Sequence, residues 1–145
     1  MKADIVMGID PGKGGGIAWC VDGEMFAEKM PDTHHDLKDL LKPLAPRTKF
    51  CFMEKVHSMP KQGVVSTFTF GTNYGMLQGM LTAYEIPFEL LRPTVWQRGM
   101  GCLSKGDKNV TKTKAQQLFP KMKITHKTAD ALLICEYLRR QSFSS

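Results

Sequence analysis

Two apolar runs that each end on one carboxylate constrain this chain most: Ile5-Val6-Met7-Gly8-Ile9-Asp10, followed by Pro11-Gly12, and Phe50-Cys51-Phe52-Met53-Glu54. A run that is apolar at successive positions, and so on both faces of a pleated strand, belongs inside a sheet covered on both sides. A helical stripe, Leu37, Leu40, Leu41 and Leu44, separates them, so the second strand can return parallel to the first through a right-handed crossover. Asp10 and Glu54 then stand at the tips of neighbouring strands.

The remaining elements follow from local signals. Gly14-Gly15-Gly16 opens a strand from Ile17 to Val21, and Asp22-Gly23 turns it into another, Glu24 to Lys29, which completes a three-stranded meander. Thr33 reads as the N-cap of the first helix, with Asp36 in its first turn and Pro43 and Pro46 at its end. Thr67 to Tyr84 reads as a helix, Ile86 to Leu91 as a fifth strand, and Thr94 to Met100, Val110 to Phe119 and Thr128 to Arg140 as three further helices. In the long helix Gly71, Gly75, Gly79 and Ala83 recur at every fourth position, and close packing on the sheet is favoured over a dimer contact or an approach to DNA. The order βββαβαβααα predicts an α/β fold, a mixed five-stranded sheet with helices on both faces. At 145 residues and 42% hydrophobic content, residues 1–145 read as a single domain with one substantial core.

Asp130, near the start of the last helix, is the third carboxylate that such a sheet can bring beside Asp10 and Glu54. Hard cations such as Mg²⁺ take oxygen ligands, and two of them bridged by carboxylates activate water and stabilise a leaving oxygen in phosphodiester hydrolysis. The set therefore reads as the centre of a metal-dependent nuclease, with Mn²⁺ as a substitute metal. The net charge of +6 suits a polyanionic partner. Between Gly99 and Lys127 the lysines include Lys105, Lys108, Lys112 and Lys114, against Asp107 as the only acid, which gives a basic surface for phosphates.

Cys20, Cys51, Cys102 and Cys135 show no metal-binding spacing and read as free thiols in a reducing compartment. No signal peptide and no bilayer-length apolar run is visible, so a soluble intracellular protein is expected. Gly12-Lys13-Gly14-Gly15-Gly16 lacks the Gly-Lys-Ser/Thr ending of a phosphate loop and reads as a turn. His34 and His35 are explained by a helix start, and Trp96, Leu118 and Phe119 by the core.

The chain resembles the RuvC-type Holliday-junction resolvases of the ribonuclease H-like superfamily through Gly8-Ile9-Asp10-Pro11-Gly12, Met53-Glu54-Lys55 and Thr128-Ala129-Asp130-Ala131-Leu132-Leu133-Ile134. It is similar in particular to their phage and prophage branch, through Arg92-Pro93-Thr94-Val95-Trp96-Gln97 and Lys112-Thr113-Lys114-Ala115 before Leu118-Phe119-Pro120. The resemblance implies that Asp10, Glu54 and Asp130 ligate metal and that Lys112 contacts DNA. It also implies a homodimer that cuts a four-way junction by paired symmetric nicks, in the cytoplasm of a bacterial cell and with a phage or bacterial origin. The family places a fourth group about one turn before its last aspartate; here that position offers His126 or Lys127, the first as a general acid or base, the second as a phosphate contact. The family also sets junction-probing residues in the loop after the second carboxylate, where His57 and Met59 are candidate wedges and Lys61 and Gln62 backbone contacts.

Three readings compete. One is a related nuclease that prefers flaps, forks or other branched DNA. Another is a junction-binding protein without catalysis, which retention of all three carboxylates opposes. The third, a sugar-kinase-like or actin-like phosphate binder, needs a second domain for which 145 residues leave no room.

Overall fold

The computed structural model describes residues 4–56 and 63–142; His57, Met59, Lys61 and Gln62 lie outside the described residues. Its sheet runs in the order β3-β2-β1-β4-β5, with β1 (Ile5–Asp10), β2 (Gly16–Val21), β3 (Glu24–Lys29), β4 (Thr48–Glu54) and β5 (Phe88–Leu91). β1, β2 and β3 pair antiparallel and β4 and β5 join parallel, the mixed five-stranded sheet that the sequence predicts. Asp22 and Gly23 take φ of 53° and 78°, the two positive values that a two-residue turn matched to strand twist requires. All of β1 is buried, as its apolar run demands.

Helices cover both faces. α1 (His34–Leu44) and α2 (Val64–Ala83) bury Leu37, Leu41, Leu77 and Leu81 against Met7, Ile9, Cys51 and Met53. On the other face, α3 (Pro93–Gly99), α4 (Lys108–Leu118) and α5 (His126–Ser142) close over Val6, Ala18 and Phe52. Each fully buried leucine contributes roughly 1.5–3 kcal/mol. The four cysteines are free and buried, distributed between these two cores. Among the described residues no helix is long and apolar enough to cross a membrane.

Several sequence expectations shift: α2 starts at Val64 rather than Thr67, β5 at Phe88 rather than Ile86 and α4 at Lys108 rather than Val110, where Asp107 caps it. The glycine row of α2 does not pack on the sheet: a Cβ on Gly71, Gly75 or Gly79 would meet nothing within 4 Å. The opposing row of large residues, Leu77 and Leu81 with Tyr74 and Tyr84, takes the sheet because it removes far more apolar area from water. α5 starts at His126, two residues before the expected Thr128, because Thr125 caps it. Thr125 Oγ1 accepts from the Lys127 amide at 3.2 Å while Thr128 Oγ1 accepts from the Thr125 amide at 3.2 Å, a reciprocal cap. Asp130 therefore lies in the second turn, beyond the exposed amides that make an ordinary first-turn acid favourable.

Candidate metal centre and phosphate cleft

Strand period and register bring the first two carboxylates together. Gly8 pairs with Phe52 and Ile9 with Met53, which sets Asp10 beside Glu54 one step further on. Alternation puts Asp10 on the face of Gly8 and Glu54 on the face of Phe52, the face that α5 covers. α5 lies directly on β1 at Gly8, where a Cβ would stand 2.4 Å from the Cys135 nitrogen and 2.6 Å from the Ala131 oxygen. That approach delivers Asp130. Ligand oxygens of Asp10, Glu54 and Asp130 lie within 4.8 Å of one another.

The surroundings of each carboxylate are specific. Trp96 Nε1 donates to Glu54 Oε2 at 3.0 Å. The Tyr74 hydroxyl donates to the Glu54 carbonyl and accepts from the Val56 amide, both at 3.3 Å, and so fixes the chain as it leaves β4. Burial, then the neighbouring charges of Glu54 and Asp130, push the Asp10 carboxyl well above its ordinary range. Burial pushes Glu54 up to about 7 against the opposing Trp96 hydrogen bond, with Asp130 adding to the rise. Burial also raises Asp130, opposed by a hydrogen bond from Thr111 and by the charges of Lys108 and His126. Three crowded carboxylates without enough positive charge, all offering oxygen, fit a hard divalent cation as a donor set.

The candidate basic residues divide. Lys105 and Lys108 line a cleft of about 400 Å³ together with Glu54, Asp130 and Arg98. Lys108 acts electrostatically on all three carboxylates. Lys112 instead lines a separate open hollow with Asn109 and Gln116, and Lys114, half-buried, has its charge felt at Cys102. His126 and Lys127 are both exposed at the start of α5. The charge of His126 acts to lower the Asp130 pKa, and His126 stands outside the group of three close ligand atoms.

Three neighbours of the centre received no such role from the sequence: Trp96, Gln97 and Thr111. Trp96 is fully buried, as expected for core, yet a buried indole N–H requires an acceptor and finds it in Glu54. His34 bonds Asn73 at 3.0 Å and His35 faces Asp39 at 3.4 Å, which leaves both to the helix start.

An antiparallel meander extended by two parallel strands, with helices on both faces, is the ribonuclease H-like α/β fold. No protein-family model matches the sequence, and no curated protein matches it. Among solved structures the chain has the fold of RuvC. It is similar to Thermus thermophilus RuvC at 15% identity, over 95% of this chain and 96% of that chain, with a TM-score of 0.63. T. thermophilus RuvC in complex with a Holliday junction substrate gives 15% identity, the same coverage and a TM-score of 0.62.

Proposed function

We propose that this protein is a divalent-metal-dependent endonuclease that cuts branched DNA, chiefly four-way junctions, by paired nicks as a homodimer. The observation that carries this reading is the group of three carboxylates within 4.8 Å, on a fold shared with a protein solved on a Holliday junction. Asp10, Glu54 and Asp130 hold Mg²⁺, or Mn²⁺ in its place. When bound, the metal lowers the pKa of a water and offsets charge on the leaving oxygen. Lys108 and Lys105 receive the phosphodiester at the mouth of the cleft. His126 is the group at the fourth position, supported by its charge, which lowers the Asp130 pKa, and by its place one turn before Asp130 on α5. A twofold substrate calls for two equivalent sites, hence the dimer.

The test is cleavage of labelled four-way junction, fork and linear duplex with and without Mg²⁺. Junction should be cut at symmetric positions, only with metal, and faster than the others. Asp10→Asn, Glu54→Gln and Asp130→Asn should each abolish cutting while leaving junction binding within a few-fold of the parent. Preferred cutting of forks would replace the junction reading with the branched-DNA alternative. Metal-dependent cutting by all three variants would sink the metal centre.

A further inference from the structure

Helix α3 reaches the site at two consecutive residues. Trp96 holds Glu54, and Gln97, only 9% exposed, directs its amide oxygen to the segment after the helix. Gln97 Oε1 accepts from the Ser104 amide at 3.1 Å and from Ser104 Oγ at 3.2 Å. Ser104 begins a tight turn. Its carbonyl accepts from the Asp107 amide at 3.0 Å and its hydroxyl from the Gly106 amide at 3.3 Å. Within the turn Lys105 has φ of 51° and Gly106 of 91°. A lysine in the left-handed region costs about 1–2 kcal/mol, so this conformation persists only where surrounding bonds impose it.

The turn has a directional result. It sets Lys105 and Lys108 on the wall of the cleft that also contains Glu54, Asp130 and Arg98. Among the described residues none of these three cations forms an ion pair. α3 is itself seated on α5: a Cβ on Gly99 would lie 2.2 Å from the Tyr137 ring. One short helix thus ties a carboxylate of the centre, the helix bearing Asp130 and the basic turn into one unit.

We propose that Gln97 is a positioning residue: it braces the Ser104–Lys108 turn so that Lys105 and Lys108, with Arg98, hold the sugar-phosphate backbone of the strand that crosses Glu54 and Asp130. This rests on the nuclease reading and adds the path of the bound strand. Gln97 acts through the lysines, so its contribution disappears when they are absent.

A double-mutant cycle reads that dependence. Binding of fluorescent four-way junction is measured by anisotropy in EDTA, across a salt series, for the parent, Gln97→Met, the Lys105→Ala/Lys108→Ala pair, and the triple variant. Methionine keeps the volume and removes the acceptor. Gln97→Met should weaken binding about tenfold at moderate salt, and the log–log salt slope should fall by about one unit per lysine displaced. Added to the lysine pair, the same change should do almost nothing. Hydrogen exchange at the Ser104 amide should accelerate in Gln97→Met and stay slow in Gln97→Glu, which keeps the acceptor.

Parent-like affinity and slope in Gln97→Met, or an equal loss with and without the lysines, overturns the brace. Should Gln97→Met fail to fold, Ser104→Ala replaces it; a loss of about twofold confined to the lysine-bearing background supports the brace, and parent-like binding overturns it. A parent that binds no DNA at all sinks the nuclease reading and the brace together. A parent that binds and cuts while Gln97→Met binds equally well sinks the brace alone.

Discussion

Trp96 shows what one hydrogen bond can do for a proposed metal ligand. Glu54 is half-buried, its pKa is raised, and its Oε2 is held by an indole that cannot move without opening the core. Partners that orient a ligand are typically worth about 10–100-fold in metal affinity or activity. Trp96→Phe keeps most of the ring volume and removes the N–H. It should weaken Mn²⁺ binding, followed by calorimetric titration, about tenfold, and slow single-turnover cutting to a similar degree, with DNA affinity unchanged. Equal Mn²⁺ affinity in the two proteins would make the bond incidental. The carboxylates were legible in the sequence because Asp10 and Glu54 each end an apolar strand and Asp130 lies near the start of a periodic helix. The roles of Trp96 and Thr111 were not, since each depends on a contact made across the fold, Glu54 being 42 residues from Trp96; that of Gln97 was not, since its partner Ser104 sits in an irregular turn that no periodicity marks.

At the scale of elements, the centre is set by how closely α5 approaches β1. Gly8 permits that approach, and any side chain there would collide with backbone rather than with a movable tip. Gly8→Ala must lift the helix, open both sides of the contact and withdraw Asp130 from Asp10. Overpacking of this kind costs about 3 kcal/mol, measurable as a lower urea midpoint. Residual folded protein should cut poorly even at saturating Mg²⁺, whereas an unchanged midpoint would mean that α5 sits further from β1. Gly8 was visible in the sequence only as part of the Gly-Ile-Asp motif. Periodicity finds the strands and helices but leaves open which row of a two-rowed helix meets the sheet, which is why the glycines of α2 were assigned inward and lie outward. The two-residue error at α5 has a similar origin: Thr125 and Thr128 cap each other, and neither has the Glu or Gln that marks a common capping box.

The whole molecule registers the crowding of its three carboxylates as a stability that depends on pH and metal. The meander and the parallel return of β4 beside β1 followed from the turn and crossover arguments, whereas the parallel place of β5 at the sheet edge did not, and the meeting of β1, β4 and α5 makes one acidic pocket out of residues 120 positions apart in sequence. In the metal-free protein Glu54 titrates at about 7 against an ordinary 4.5, and Asp10 and Asp130 move in the same direction from 3.8. Between those limits the folded state binds more protons than the unfolded one, so stability is fully present below the ordinary value and is lost as pH rises through 7. Glu136 shifts the other way: burial opposes it, but hydrogen bonds from Arg139 and Arg140 hold it ionised, so its contribution is lost only on further acidification. A comparison of pH 5 with pH 8 therefore reports on the pocket. Without divalent ions the melting temperature should fall by several degrees over that interval, at roughly 2–4 °C per kcal/mol for a chain of this size. Saturating Mg²⁺ binds the ionised carboxylates of the folded state alone and should raise the melting temperature more at pH 8 than at pH 5. Glu54→Gln should flatten the metal-free profile and reduce the Mg²⁺ response. Equal metal-free melting temperatures at the two pH values, together with no response to Mg²⁺, would mean that the three carboxylates do not share one buried pocket in solution.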